Sequence, residues 1–474
     1  MRTSAIKNLM RKLLLFLFIS LASIARGNDA NPRICVDPAV EFVSAVCRTA
    51  GFAEYVNNAN ADYARAVDSL FTPFGQHPAI KYLQAVREHQ DVGYDAIALL
   101  AVYLTADKGG LQLRPEANLP AEDSRWKSGQ PDSVAVLLDD LYRQSNFDVF
   151  FRSNGEFYDA AAKNMEALLE KTDVAWLWDF FGKKPEDGEI VISLLNKGNY
   201  GMSRHRAAGA DESVIVVGCF RLDKHDIPVF DGRESLIIHE SSHPMTNPLV
   251  IDNFDSFNDN LSIAAKLMEA PLAAKSYGGG LSLMCESMVR AVEIQYALAH
   301  GDSIAANYRK TSEMMAGFMF MPEILEAFDH YTANRRDYPM IDSIMPVIIH
   351  SINNVDVNGR YEEMMNESPE ILACSLPYGA TVNTGEPLAI SFTFSRPIKR
   401  GSFGMGELHD LEIPDLSDTR RPSIEYSDDR KTLTIYLDVL PDMEYGMTMN
   451  GSFYRGDSGY PGRGKVEVMF RTAK

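Results

Sequence analysis

The hydrophobic pattern of this 474-residue chain changes period twice, and those changes restrict its architecture more than any other feature. From about residue 38 to 181, apolar residues recur every three or four positions, as one buried face of a helix requires. In "VEFVSAVCRTAGFAEYV", Val40, Val43, Val46 and Cys47 form such a stripe, and Gly51 suits a helix end. "HPAIKYLQAVREHQ" and "YDAIALLAVYLTA" repeat the pattern, which predicts helix to about 107, and further helices are expected over 132–145 and 155–181. The Lys, Pro, Asp and Gly of 182–188 then break it.

Short runs rich in Ile and Val follow at 189–196 ("EIVISLLN") and 213–220 ("SVIVVGCF"), which predict strands. Between them "KGNYG" (197–201) reads as a turn or loop. "RESLIIHESSH" has no helix breaker and three consecutive apolar residues, so a buried helix is expected there. Residues 244–262, with Pro244, Pro248 and several Asn and Asp, read as loop. "YGGG" then leads into the helix "LSLMCESMVRAVEIQYALAH", with more helix to about 351. Beyond 366 the pattern becomes short alternating segments parted by turn residues, about six or seven strands, as in an immunoglobulin-like sandwich. The expectation is therefore α+β. A mainly helical domain with a small sheet spans 28–365 (helical over 28–185, strands and site helices over 186–365), and an all-β sandwich spans 366–474.

The N-terminus has the order of a secretory signal peptide. Arg2, Lys7, Arg11 and Lys12 precede an apolar run from Leu13 to Leu21, followed by small residues, and cleavage is expected by Gly27. That implies a secreted or periplasmic protein, and no later stretch reads as a membrane span. Losing those four cations takes the net charge from −19 to −23, which repels phosphate backbones and excludes nucleic acid as a partner. Five cysteines, an odd number without a metal-knuckle spacing, do not make a disulfide scaffold. Cys35 and Cys47 are near enough in sequence to bridge, and isolated buried thiols are the plainer reading.

The chemistry is concentrated in His239-Glu240-Ser241-Ser242-His243. On a helix, positions i and i+4 share a face one turn apart, so two imidazoles can converge on one Zn²⁺. Glu240, offset from that face, can act as general base toward a metal-activated water without ligating the ion. Pro244 follows at once; it cannot donate to the Glu240 carbonyl, so the helix is expected to stop at or just after His243. A third histidine with HExxHxxGxxH spacing is absent, leaving a downstream carboxylate. Glu286 is the favoured candidate, since it stands in an otherwise apolar helix with Arg290 one turn on to orient it. Glu293 is its rival and Glu269 a more distant one. For the oxyanion donor, Tyr331 is preferred over Tyr296, His300 and His330. An edge strand at 189–196 would hold an extended peptide by main-chain bonds.

HESSH, the strand pair before it and the downstream Glu of "ESMVRA" resemble the gluzincin branch of the zincin metallopeptidases. More narrowly, "HPAIKYLQAVRE", "GYDAIALLAVYL", "NKGNYG", "HESSH", "YGGG…ESMVRA" and "NRRDYP" resemble a group of secreted bacterial proteins that share a domain of unknown function, over about 35–350. The resemblance implies a zinc peptidase fold with His239 and His243 as ligands, Glu240 as base and Glu286 as third ligand. The tail, with "SLPYGATVNTGEPLAISFTFSRPI", is similar to bacterial surface-layer Ig-like modules, which serve as spacers or docking surfaces for a surface partner or carbohydrate. Two functions follow as expectations. One is a secreted zinc peptidase acting on peptide or protein substrates. The other is a non-enzymatic exported binding protein that uses the same fold and its Ig-like module for partner recognition. An intact Glu240 favours the first.

Overall fold

The computed structural model describes residues 32–56, 61–107, 110–184, 188–208, 211–230 and 232–474, and the expected signal peptide at 1–27 lies outside them. The chain is α+β and divides into two units, Met1–Met245 and Thr246–Lys474. The division therefore falls near the HESSH segment and not at 366.

The first unit opens with strand β1 (Arg33–Cys35) and helix α1 (Pro38–Thr49). Asp37 caps that helix: its carboxylate accepts the N–H groups of Ala39 and Val40, with Pro38 in the first turn. The apolar stripe read in the sequence is buried almost completely, from Ala39 through Cys47. Helices α2 (Ala53–Val56), α3 (Ala61–Phe71), α4 (Pro78–Gln90) and α5 (Asp95–Val102) follow. Helix was expected as far as 107, but α5 stops at Val102 and the chain turns into a hairpin, β2 (Leu104–Asp107) and β3 (Gly110–Leu113). Gly110 sits at φ 132°, a conformation closed to other residues, and its N–H reaches the Asp107 carboxylate at 3.1 Å. Beyond it lie α6 (Leu119–Glu122), α7 (Gln130–Ser145), α8 (Phe147–Ser153), α9 (Gly155–Leu169) and α10 (Val174–Phe181). Gly182 ends α10 in the left-handed conformation, which accounts for the break seen in the sequence.

The expected strands form as β4 (Gly188–Ser193) and β6 (Glu212–Gly218). A strand that the sequence did not announce, β5 (Asn199–Arg204), completes the sheet. The order is β1-β4-β6-β5, with β1, β4 and β6 parallel and β5 antiparallel to β6. The 189–196 segment is consequently internal, and β5 is the edge strand in its place. On the face toward α1, Ser193 and Ser44 hydroxyls meet at 2.9 Å, and Glu41 accepts the Leu194 N–H at 3.0 Å. On that same face Glu189 is held by Arg33 and by Arg204, the latter at 2.8 Å. A charge so deeply buried needs such partners.

Helix α11 (Glu234–Asp252) carries HESSH and runs on through Pro244 and Pro248, so 244–252 is helix where loop was expected. The second unit continues with α12 (Asn260–Leu267), α13 (Glu269–Ala273), α14 (Gly279–Ala299), α15 (Ser303–Met315), α16 (Met321–Ala333), α17 (Met345–Asn353) and α18 (Val357–Glu367). Within "YGGG", Gly280 has a steric reason, since a Cβ there would lie 3.0 Å from the Leu261 side chain where α14 starts against α12, and Gly279 takes a left-handed φ of 74°. The tail folds as two four-stranded sheets built from β7 (Ile371–Cys374), β8 (Ala380–Val382), β9 (Leu388–Phe394), β10 (Ile398–Phe403), β11 (Gly406–Glu407), β12 (Ile424–Tyr426), β13 (Thr432–Leu437), β14 (Glu444–Asn450), β15 (Tyr454–Gly456) and β16 (Lys465–Thr472), with β10 and β15 paired separately. The sheets are β12-β13-β9-β7 and β11-β14-β16-β8. Their inward residues, among them Ile390, Phe392, Ile435, Met447 and Phe470, share one core, which makes the tail a sandwich.

Candidate metal centre

His239 and His243 stand one turn apart on α11, and the helix aims both rings to the same side. Their Nε2 atoms are 3.3 Å apart, with ring planes at 79°. Two ligands of a tetrahedral zinc, each about 2.0–2.1 Å from the ion, stand roughly 3.3–3.4 Å from each other. The observed separation therefore fits the bite of one such ion. Glu240 reaches to 4.0 Å from His243 Nε2, and the ligand atoms of all three residues lie within 4.8 Å of one another. Among the described residues these are the His, Cys, Asp and Glu side chains grouped closely enough to hold a metal.

The small residues between the ligands are what let this turn pack inward. Ser241 and Ser242 are buried, Ser242 Oγ bonds the Ile238 carbonyl at 2.7 Å, and Ile237 enters the core of the first unit. Pro244 has no N–H to offer the Glu240 carbonyl, and β5 passes directly over that oxygen. A Cβ on Gly201 would come within 1.9 Å of it, so only glycine permits the approach. The "NKGNYG" string is built for the same closeness. Asn196 is buried, with its side-chain amide bonded at both ends to Gly198, and its carbonyl accepts the Cys219 N–H. A Cβ on Gly218 would strike the Asn196 and Gly198 carbonyls at 2.6 Å.

Arg233, just before α11, stacks on Phe220 at 4.1 Å and lies in the field of Glu240. Burial lowers its affinity for a proton, while the Glu240 carboxylate works to keep it charged. Sequence reasoning missed Arg233, because its link to Glu240 depends on the turn that opens the helix. All five cysteines are free thiols, including Cys35 and Cys47, and burial pushes Cys219 up to about 12.

The remaining candidates lie in the second unit. Glu286 is buried on α14, where Arg290 binds it at 3.2 Å and the Tyr277 phenol hydrogen-bonds to it. Arg290 also reaches Glu313 at 3.0 Å and stacks on Phe318 at 4.4 Å. Glu293, two turns along, is buried against Arg309 at 3.2 Å. Glu269 opens the short α13. Tyr331 is fully buried on α16 with Arg335 stacked over its ring at 4.3 Å, a packing environment. Tyr277, which holds Glu286, had no signal in the sequence beyond its place in the "YGGG" string.

No curated protein matches the chain. Solved S-layer structures are matched at low identity. The crystal structure of the S-layer protein rSbsC(31-844) aligns at 11% identity over 84% of this chain and 46% of that one, with a TM-score of 0.16. The N-terminal part of the bacterial S-layer protein SbsC aligns at 13% identity over 93% and 79%, also at 0.16. The chain thus spans about half the length of the first of these, and such TM-scores do not indicate a shared fold. No helix among the described residues is long and apolar enough to cross a membrane. The family signature described as Domain of unknown function (DUF4932) matches residues 33–351, and the chain belongs to that family.

Proposed function

We propose that the protein is an exported zinc-dependent peptidase, with His239 and His243 as metal ligands, Glu240 as general base and Glu286 as third ligand. The observation that carries this reading is the 3.3 Å approach of the two imidazole nitrogens with the Glu240 carboxylate beside them. A zinc ion there would supply Lewis acidity toward the scissile carbonyl and the attacking water. Glu240, beside the two imidazoles, would be the group to accept the proton of the attacking water and return it to the leaving amine. The edge of β5, which crosses the site at Gly201, offers main-chain groups to an extended peptide. Glu286 is supported by its type and spacing in the sequence and by an Arg290–Tyr277 cradle of the sort that orients a metal-binding carboxylate. Export rests on the order of charge, apolar run and small residues at the N-terminus.

Metal analysis and a peptide-library digest test this together. Purified protein is expected to hold about one zinc per chain, to lose it in His239→Ala, and to keep it in Glu240→Gln while hydrolysis falls on the order of 100-fold or more. A zinc-free wild-type protein would move the reading to the binding module. Normal cleavage by Glu240→Gln would remove Glu240 as the base.

A further inference from the structure

Helix α15 presents two different faces to two different partners. Tyr308, Thr311 and Ser312, at i, i+3 and i+4, form one stripe, and Arg309 and Glu313 form another. The first stripe is gripped by the sandwich. Arg455 on β15 donates to Ser312 Oγ at 2.8 Å and to the Gly459 carbonyl at 2.9 Å, and its guanidinium stacks on the Tyr308 ring at 4.8 Å. Lys399 on β10 donates to the Tyr308 hydroxyl at 2.8 Å and also lies over its ring. Thr311 Oγ1 donates to the Gly459 carbonyl at 2.9 Å. The second stripe grips α14, with Arg309 on Glu293 at 3.2 Å and Glu313 on Arg290 at 3.0 Å. Arg290 in turn holds Glu286.

From this we infer that the sandwich is a brace for the Glu286 carboxylate, with Arg455 as a positioning residue that acts through α15, Glu313 and Arg290. The inference rests on the reading of Glu286 as a metal ligand. It departs from a tethered spacer, because a spacer needs no hydrogen-bonded grip on the helix next to the site. A guanidinium suits this task, since its rigid fork bonds a hydroxyl and a carbonyl on two elements at once while its face covers an aromatic ring. The pairs on both stripes are partly buried, so they are weakly screened and hold α15 in one register.

Zinc affinity of the full-length protein, measured by competition with a chromogenic chelator, tests the inference. Glu286→Ala is expected to weaken zinc strongly. Arg455→Ala is expected to weaken it by on the order of 10-fold, the lower end of what outer partners of a ligand cost. Ser312→Ala, a milder change that keeps the fold, should give a smaller loss in the same direction, and Arg455→Lys should recover only part of the affinity. Because the path runs through Glu313, adding Arg455→Ala to Glu313→Gln should cost little beyond Glu313→Gln alone, an outcome that general destabilisation does not produce. If Glu286→Ala loses zinc while Arg455→Ala and Ser312→Ala bind as wild type, or if the Arg455 and Glu313 effects simply add, the brace is overturned and the peptidase reading stands. If Glu286→Ala binds zinc as wild type, the third-ligand assignment fails and the brace fails with it.

Discussion

Glu41 sits on α1 with no exposure to solvent, and burial pushes its carboxyl up to about 8 although the Leu194 N–H and the Tyr63 phenol both favour the charged form. The folded protein therefore keeps this proton across a range in which the unfolded chain, with an ordinary carboxyl, has released it. Its contribution to stability is complete below the unfolded value near 4.5, declines as pH rises, and is gone above about 8. The expected outcome is that Glu41→Gln, which cannot ionise, flattens this dependence. Relative to wild type, it should gain on the order of a few kcal/mol between pH 5 and pH 8.5. Denaturant midpoints at those two pH values check it, and parallel curves for the two proteins would rule it out. The His239, Glu240 and His243 cluster was legible because those residue types are rare and their spacing is helical, so it could be named from five letters. Arg233 and Tyr277 were not legible, because nothing local ties an arginine to Glu240 or a phenol to Glu286 before the chain has folded.

At the scale of elements, β5 meets α11 so closely at Gly201 that a Cβ there would lie 1.9 Å from the Glu240 carbonyl. Proline 244 was read as a stop signal, yet the helix continues to Asp252. The carbonyl that proline leaves without its helical donor is the one that β5 passes over. Gly201→Ala is expected to force the strand outward, cost about 1–3 kcal/mol as an overpacked site does, and depress hydrolysis more than it depresses zinc content. Thermal melting with metal analysis and a peptide digest would read all three, and wild-type behaviour in each would mean that β5 has room to spare. The strand itself escaped the sequence reading because "NYGMSR" has two polar ends and a glycine instead of an alternating apolar face. By contrast, β4 and β6 are covered on both sides and read as continuous Ile and Val runs. The β2–β3 hairpin was hidden by the apolar run of α5, whose periodicity carried over into "YLTA".

For the whole molecule, the sequence located the change to β structure near 366 but not the grouping of parts. Composition shows where the pattern switches, whereas long-range contacts decide what coheres. Here the helices after 246 and the sandwich form one unit, joined through Tyr308, Arg455 and the bond from Ser368 to the Pro461 carbonyl. Limited proteolysis of the native protein should therefore not release 366–474 as an early stable fragment. A chain ended at 366 should melt lower than the full-length protein, by several degrees, because the α15 face gripped by the sandwich loses its partners. Early release of an intact tail, with the rest melting unchanged, would contradict this.

The half-exposed strand at the border of the first sheet carries one further implication. A strand at the border of a sheet offers its outer side to any extended backbone, and under the proposed reading it would not distinguish a peptide substrate from a neighbouring molecule. Crowded solutions of the protein should then contain pairs joined ribbon to ribbon, and short extended peptides should dissolve those pairs in proportion to how tightly they bind.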